Sequence, residues 1–190
     1  MGRTKTARLH RAASAAALVL LALGVGACGS SGPTIDPAAP TGRVASSAVS
    51  GRFLLTFAID RGVVRAEDEI TGEAALRMTA PGGATISGPT LFTFDFLEVG
   101  GAGRHVAPVS DSGCAPHRVT ADAPSVSPIL KSGSPSGPHE AFIRDFLKGT
   151  AVRLPRGTWD ITATASFHDA EACAGQELIL RASVRIHVSE

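Results

Sequence analysis

The chain has no Tyr, no Asn, a single Trp and three Cys in 190 residues. Sugar platforms and polar ligand pockets are built from exposed aromatic faces and from Tyr, Asn and Trp edges. Eight Phe remain, but most fall at alternate positions in strand-like runs, where burial is their expected fate. A carbohydrate-binding module is therefore disfavoured. Acids are missing before Asp36, and residues 28–190 then hold 14 Lys and Arg against 17 Asp and Glu, a formal charge of −3. A nucleic-acid partner is not expected, because no clustered basic face is readable. Nor is there a polybasic patch that would hold a membrane by charge.

Catalytic signatures are equally scarce. Gly133-Ser134-Pro135-Ser136-Gly137 has the glycines of a nucleophile elbow, with Pro at its centre. Ser127 and Lys131 stand four apart, not the three of a Ser-x-x-Lys pair. Gly101-Ala102-Gly103 follows a strand, but no helix of a dinucleotide fold comes after it. Glu67, Asp68 and Glu69 read as a solvated turn before Ile70. Blue-copper ligation needs a Met close to a late His–Cys loop, and the only Met beyond residue 27 is Met78. We expect no enzyme activity and no cofactor.

What is present begins with an address. Arg3, Lys5, Arg8 and Arg11 form a positive head, and Ala12 to Ala27 is apolar or small throughout. That run is short of the roughly 20 residues a membrane-spanning helix needs and suits a secretion signal. It closes on Leu23-Gly24-Val25-Gly26-Ala27-Cys28, which resembles the lipobox of bacterial lipoproteins. The resemblance implies that residues 1–27 are removed and that Cys28 is acylated. The protein would then be anchored by lipid at the extracytoplasmic face of a cell membrane.

Residues 28–51 are mostly Gly, Ser, Pro, Ala and Thr without apolar periodicity, so a flexible tether is expected, with a reach of about 25 Å. From Arg52 the period becomes two. Phe53, Leu55, Phe57 and Ile59 alternate with their neighbours, as do Ile70 to Met78 and Phe92, Phe94 and Phe96. Shorter strands are expected around His105 to Val109 and His117 to Ala121. Pro124 to Pro138 reads as a long loop. Phe142 and Phe146, like Ile143 and Leu147, are four apart, and Gly149 stops the short helix they define. Two long strands follow, over Trp159 to Phe167 and Leu178 to Val188.

About seven or eight short half-polar strands describe an all-β antiparallel sandwich with one short helix. Over residues 52–190 the chain resembles immunoglobulin-like or fibronectin-type modules of bacterial surface proteins. The pattern that carries the likeness is Leu154-Pro155-Arg156-Gly157-Thr158-Trp159-Asp160-Ile161-Thr162-Ala163, which leads into a late strand. Such folds host many unrelated roles, so the likeness implies no activity.

With Cys28 assigned to lipid, Cys114 and Cys173 form an even pair in an oxidising compartment, and a disulfide is expected. The alternative is a metal-handling lipoprotein in which Cys114, His117, His168 and Cys173 form a tetrahedral zinc or copper set. An extracytoplasmic hydrolase is a third reading. The leading expectation is a non-enzymatic binding or structural module that meets a protein partner.

Overall fold

The computed structural model describes residues 41–109 and 111–190. Cys28 lies outside them, as do the expected signal and most of the expected tether. Eleven strands are described: β1 (Val44–Ser50), β2 (Phe53–Ile59), β3 (Val63–Arg65), β4 (Gly72–Met78), β5 (Gly83–Gly88), β6 (Phe92–Val99), β7 (His105–Val106), β8 (Ala115–Thr120), β9 (Ser125–Pro128), β10 (Gly157–His168) and β11 (Glu177–Ser189). One short helix, α1 (Glu140–Phe146), interrupts them.

The strands form two sheets. The first has the order β1-β2-β4-β9. The second is centred on β10, with β11 and then β3 on one side. On the other side β6 and β7 flank the first part of β10, and β5 and β8 continue beyond it. Every pairing is antiparallel except β3 with β11. The fold is thus an all-β sandwich with one short helix, as the two-residue period implied.

The core is made by the expected alternation. Phe53, Leu55, Phe57 and Ile59 of β2 face Phe94 and Phe96 of β6, Trp159 to Phe167 of β10, and Leu180 to Val188 of β11. Edge-on contact between Phe53 and Phe167 (4.9 Å between ring centres) and a tilted one between Phe57 and Phe94 (5.9 Å) tie the sheets together. Ring pairs of this kind add roughly 0.5–1.5 kcal/mol beyond area burial. The helix closes one end: Ile143 and Phe146 are buried, and the Phe146 ring meets Phe96 at 5.0 Å.

Three expectations are corrected. The tether does not extend to residue 51, because Val44–Ser50 pairs along its whole length with β2. Its residues are small, with Val44 and Ala48 packed against the core but no sustained apolar alternation, so pairing with β2 decides their conformation. Gly51 takes the positive φ (56°) that the two-residue turn demands. The loop from Pro124 to Pro138 contains β9, an edge strand that pairs with β4 from Glu73↔Pro128 to Leu76↔Ser125. Pro is tolerated there because an edge strand leaves one row of N–H groups unpaired. The strand expected from Ile70 starts at Gly72, where a Cβ would lie 2.4 Å from the Ala58 carbonyl oxygen.

Candidate functional site

The two cysteines are joined. Cys114 precedes β8 and Cys173 ends a short 3-10 turn over Glu171–Cys173, and their sulfurs are bonded with Cα atoms 6.0 Å apart. Ser87 of β5 supports the turn from beneath: its hydroxyl donates to the Ala170 carbonyl (2.6 Å) and accepts the Cys173 N–H (2.6 Å). Ser87 is 1% exposed, so both bonds are shielded from water. Ala172 and Cys173 take positive φ (56° and 54°), a conformation that non-glycine residues adopt only when their surroundings enforce it.

The alternative Cys2His2 metal set is not assembled. Both sulfurs are spent on each other, and the histidines do not converge. His168 follows Ser166 on the outer face of β10, whereas His117 pairs with the buried Ile86 on the inner-facing row. His168 Nδ1 instead lies 3.1 Å from the Gly175 carbonyl, and His117 Nε2 lies 3.4 Å from that of Pro89. Among the described residues, no group of three or more His, Cys, Asp and Glu gathers to hold a metal.

Charged and hydroxyl side chains elsewhere, including Asp68, Ser127 and Lys131, are also tied up. Asp169 pairs with Arg52 (2.6 Å) and Asp68 with Arg61 (3.2 Å). Ser127 donates to the Pro128 carbonyl (3.0 Å), and Lys131 reaches the helix C-terminus, so these two do not form a catalytic pair. Glu140 pairs with Arg144 one helical turn away.

The fold gathers chemistry at further places. One is the corner built by the Leu154 to Trp159 segment. The Trp159 indole donates to the Pro155 carbonyl (2.9 Å), and Arg104 lies 5.4 Å from the centres of both the Trp159 and Phe142 rings. Arg104 also grips the buried Glu98 with two bonds, Nη2 to Oε1 (2.7 Å) and Nε to Oε2 (3.0 Å). Those bonds hold the Glu98 carboxyl below the usual carboxylate range, against the opposing effect of burial. Gly101 and Gly157 are needed beside it, because a Cβ there would come within 2.7 Å and 3.1 Å of Glu98 Oε1. This corner is internally satisfied, which marks it as structural.

The second place is the outer face of the second sheet, towards the disulfide end. Thr93, Thr164 and Arg181 lie in one cross-strand row, with Asp95, Thr162 and Ser183 in the next. Pro89 and Thr90 wall one side of a groove of about 500 Å³, and Pro108 and Asp111 also line it. The walls are fixed: the Thr90 hydroxyl donates to Asp111 (3.0 Å), and Asp95 pairs with His105 at 2.7 Å. Glu177 accepts from Ser166. On the floor, Ile179 is 47% exposed beside Arg181, for which no partner is present among the described residues. The two-residue period of β11 places Ile179, Arg181, Ser183 and Arg185 on one outward row. It gave no sign that loops from residues 89 and 108 would rise beside that row.

No family model, curated protein or solved structure matches this chain.

Proposed function

We propose that this protein is a lipid-anchored, extracytoplasmic, non-enzymatic binding module that presents the groove over β6, β10 and β11 to a protein partner. The observation that carries the proposal is Arg181 and Ile179 side by side on the groove floor. An uncommitted guanidinium next to exposed apolar surface, ringed by hydroxyls of which Thr90 and Ser166 are bonded to Asp111 and Glu177, is the composition of an interface anchor and its rim. The complementary surface is an acidic side chain flanked by an apolar one.

The strand order supports the immunoglobulin-like reading. With β2 as first strand, β2-β4-β9 against β11-β10-β6 follows the A-B-E against G-F-C order of such domains. The β5–β8 pair and the disulfide are additions to that plan, and the bridge is not the common one between the sheets. Attachment to the membrane rests on the Cys28 motif. A tether ending at Arg43 would reach roughly 20 Å. It would join the domain at the start of β1, opposite the disulfide end, so the groove would face away from the lipid.

Photo-crosslinking on native membranes tests the proposal, with the reactive group at Thr164 in the groove or at Ser47 on the other sheet. One discrete adduct from Thr164, lost in Arg181→Glu and not formed from Ser47, is expected. Equal labelling from both positions would refute a groove-directed role. Intact-mass analysis of the membrane fraction tests the anchor, which fails if the mature chain starts anywhere but a lipid-modified Cys28.

A further inference from the structure

At the end of the sandwich opposite the disulfide, α1 and the segment leading to β10 enclose a groove of about 360 Å³. Arg104, Lys131, Lys148 and Arg153 line it with Asp145 as the single acid. Half of these cations are paired. Arg104 is bound to Glu98, and Lys148 pairs with Asp145 at 3.0 Å. Lys131 and Arg153 differ. The Lys131 ammonium donates two of its three protons to the carbonyls of Phe146 (2.6 Å) and Lys148 (2.7 Å), capping the helix C-terminus. Its third proton is unspent. Arg153 has neither hydrogen bond nor ion pair among the described residues.

We infer that this groove is a phosphate-binding site, in which a phosphoryl oxygen set bridges the Lys131 ammonium and the Arg153 guanidinium. Two like charges brought together at a partly desolvated place repel, and burial together with Arg153 pushes the Lys131 ammonium below the usual lysine range. A dianionic or monoanionic phosphate turns that repulsion into two charge-assisted hydrogen bonds. The groove is larger than one phosphate and is walled by Phe142, Leu154 and Pro155, which suits a phosphate ester with a carbon skeleton. The groove also lies at the same end of the sandwich as the start of β1. Val44 pairs with Ile59, the Gly42 carbonyl accepts the Gly62 N–H, and Ala66, which lines the groove, donates to the Ser189 carbonyl. Lipid headgroups are one source of such an ester and soluble phosphates are the other. Only the lipid source rests on the tether reading; the phosphate chemistry does not.

The test is calorimetric titration of the full chain in a neutral detergent with inorganic phosphate, followed by sedimentation with phosphatidylglycerol or phosphatidylcholine vesicles. Saturable phosphate binding is expected, weakened about tenfold in Arg153→Ser, the size of one lost charge-assisted hydrogen bond. Lys131→Gln should weaken it at least as much. Arg61→Ser, which removes a cation already paired with Asp68, should change it less than twofold. Arg153 is exposed, so its variant folds even if the Lys131 variant does not. Added retention on phosphatidylglycerol vesicles, lost in Arg153→Ser, assigns the site to a lipid headgroup. Phosphate binding without vesicle retention assigns it to a soluble ester. Absence of saturable phosphate binding, or equal loss in Arg61→Ser and Arg153→Ser, overturns the site.

Discussion

Removing the Cys114–Cys173 bond gives a defined test of what holds the disulfide end together. The bridge spans 59 positions of sequence, and on the chain-entropy model a loop of that length restricts the unfolded chain by about 4 kcal/mol at 25 °C. Native-state losses add little, because the Cys173 N–H bond to Ser87 and the β5–β8 pairing persist without the sulfurs. The double variant Cys114→Ala/Cys173→Ala should thus lose about 4 kcal/mol in urea titration, from a total that for such domains is about 5–15 kcal/mol. Its melting midpoint should fall by roughly 8–16 °C. The urea slope should rise, since the freed chain exposes more surface when unfolded. A loss below about 1 kcal/mol with an unchanged slope would refute the reasoning, because it would mean the reduced unfolded chain is already held as tightly as the bridged one. Hydrogen exchange at the position-173 amide should stay protected in the double variant, because its bond to Ser87 does not depend on the sulfur.

Glu98→Gln should cost about 3 kcal/mol at pH 7, the low end for breaking a buried pair, because 22% of the Arg104 side chain stays in water. The folded Glu98 carboxyl titrates below its unfolded value, so its contribution is present above about pH 4.3 and is lost as pH falls through the folded value. Wild type and Glu98→Gln should therefore converge in acid, and a gap that widens on acidification would contradict the assignment. Gly72→Ala should destabilise by about 1–3 kcal/mol in the same titration, because the added methyl meets the Ala58 carbonyl oxygen and not a movable side chain. Arg181→Glu should leave the melting midpoint within about 2 °C of wild type, as an exposed substitution without a partner does, while abolishing the Thr164 adduct.

The sequence by itself determined the long strands, the helix and the cysteine pairing. These rest on local rules: a period of two buries Phe53 to Ile59 and Leu180 to Val188 whatever their neighbours, and Phe142 and Phe146 fall on one face of any helix that contains them. Cys114 and Cys173 were an even pair once Cys28 was set aside, and the short list of alternatives had a disulfide at its head; the structure bonds them. Tertiary structure decided what local rules leave open. Val44–Ser50 buries only Val44 and Ala48, in part, and Ser125–Pro128 offers no apolar alternation; both become strands because β2 and β4 offer unpaired backbone beside them. His117 and His168 have equal claims in sequence, yet strand register puts them on opposite faces of one sheet. Arg104 and Glu98 are six apart on a glycine-rich turn, and only the arrival of Trp159 and Phe142 from distant segments buries their pairing. Both grooves are of that kind: their walls come from loops whose positions depend on long-range closure, for which no period in the sequence exists.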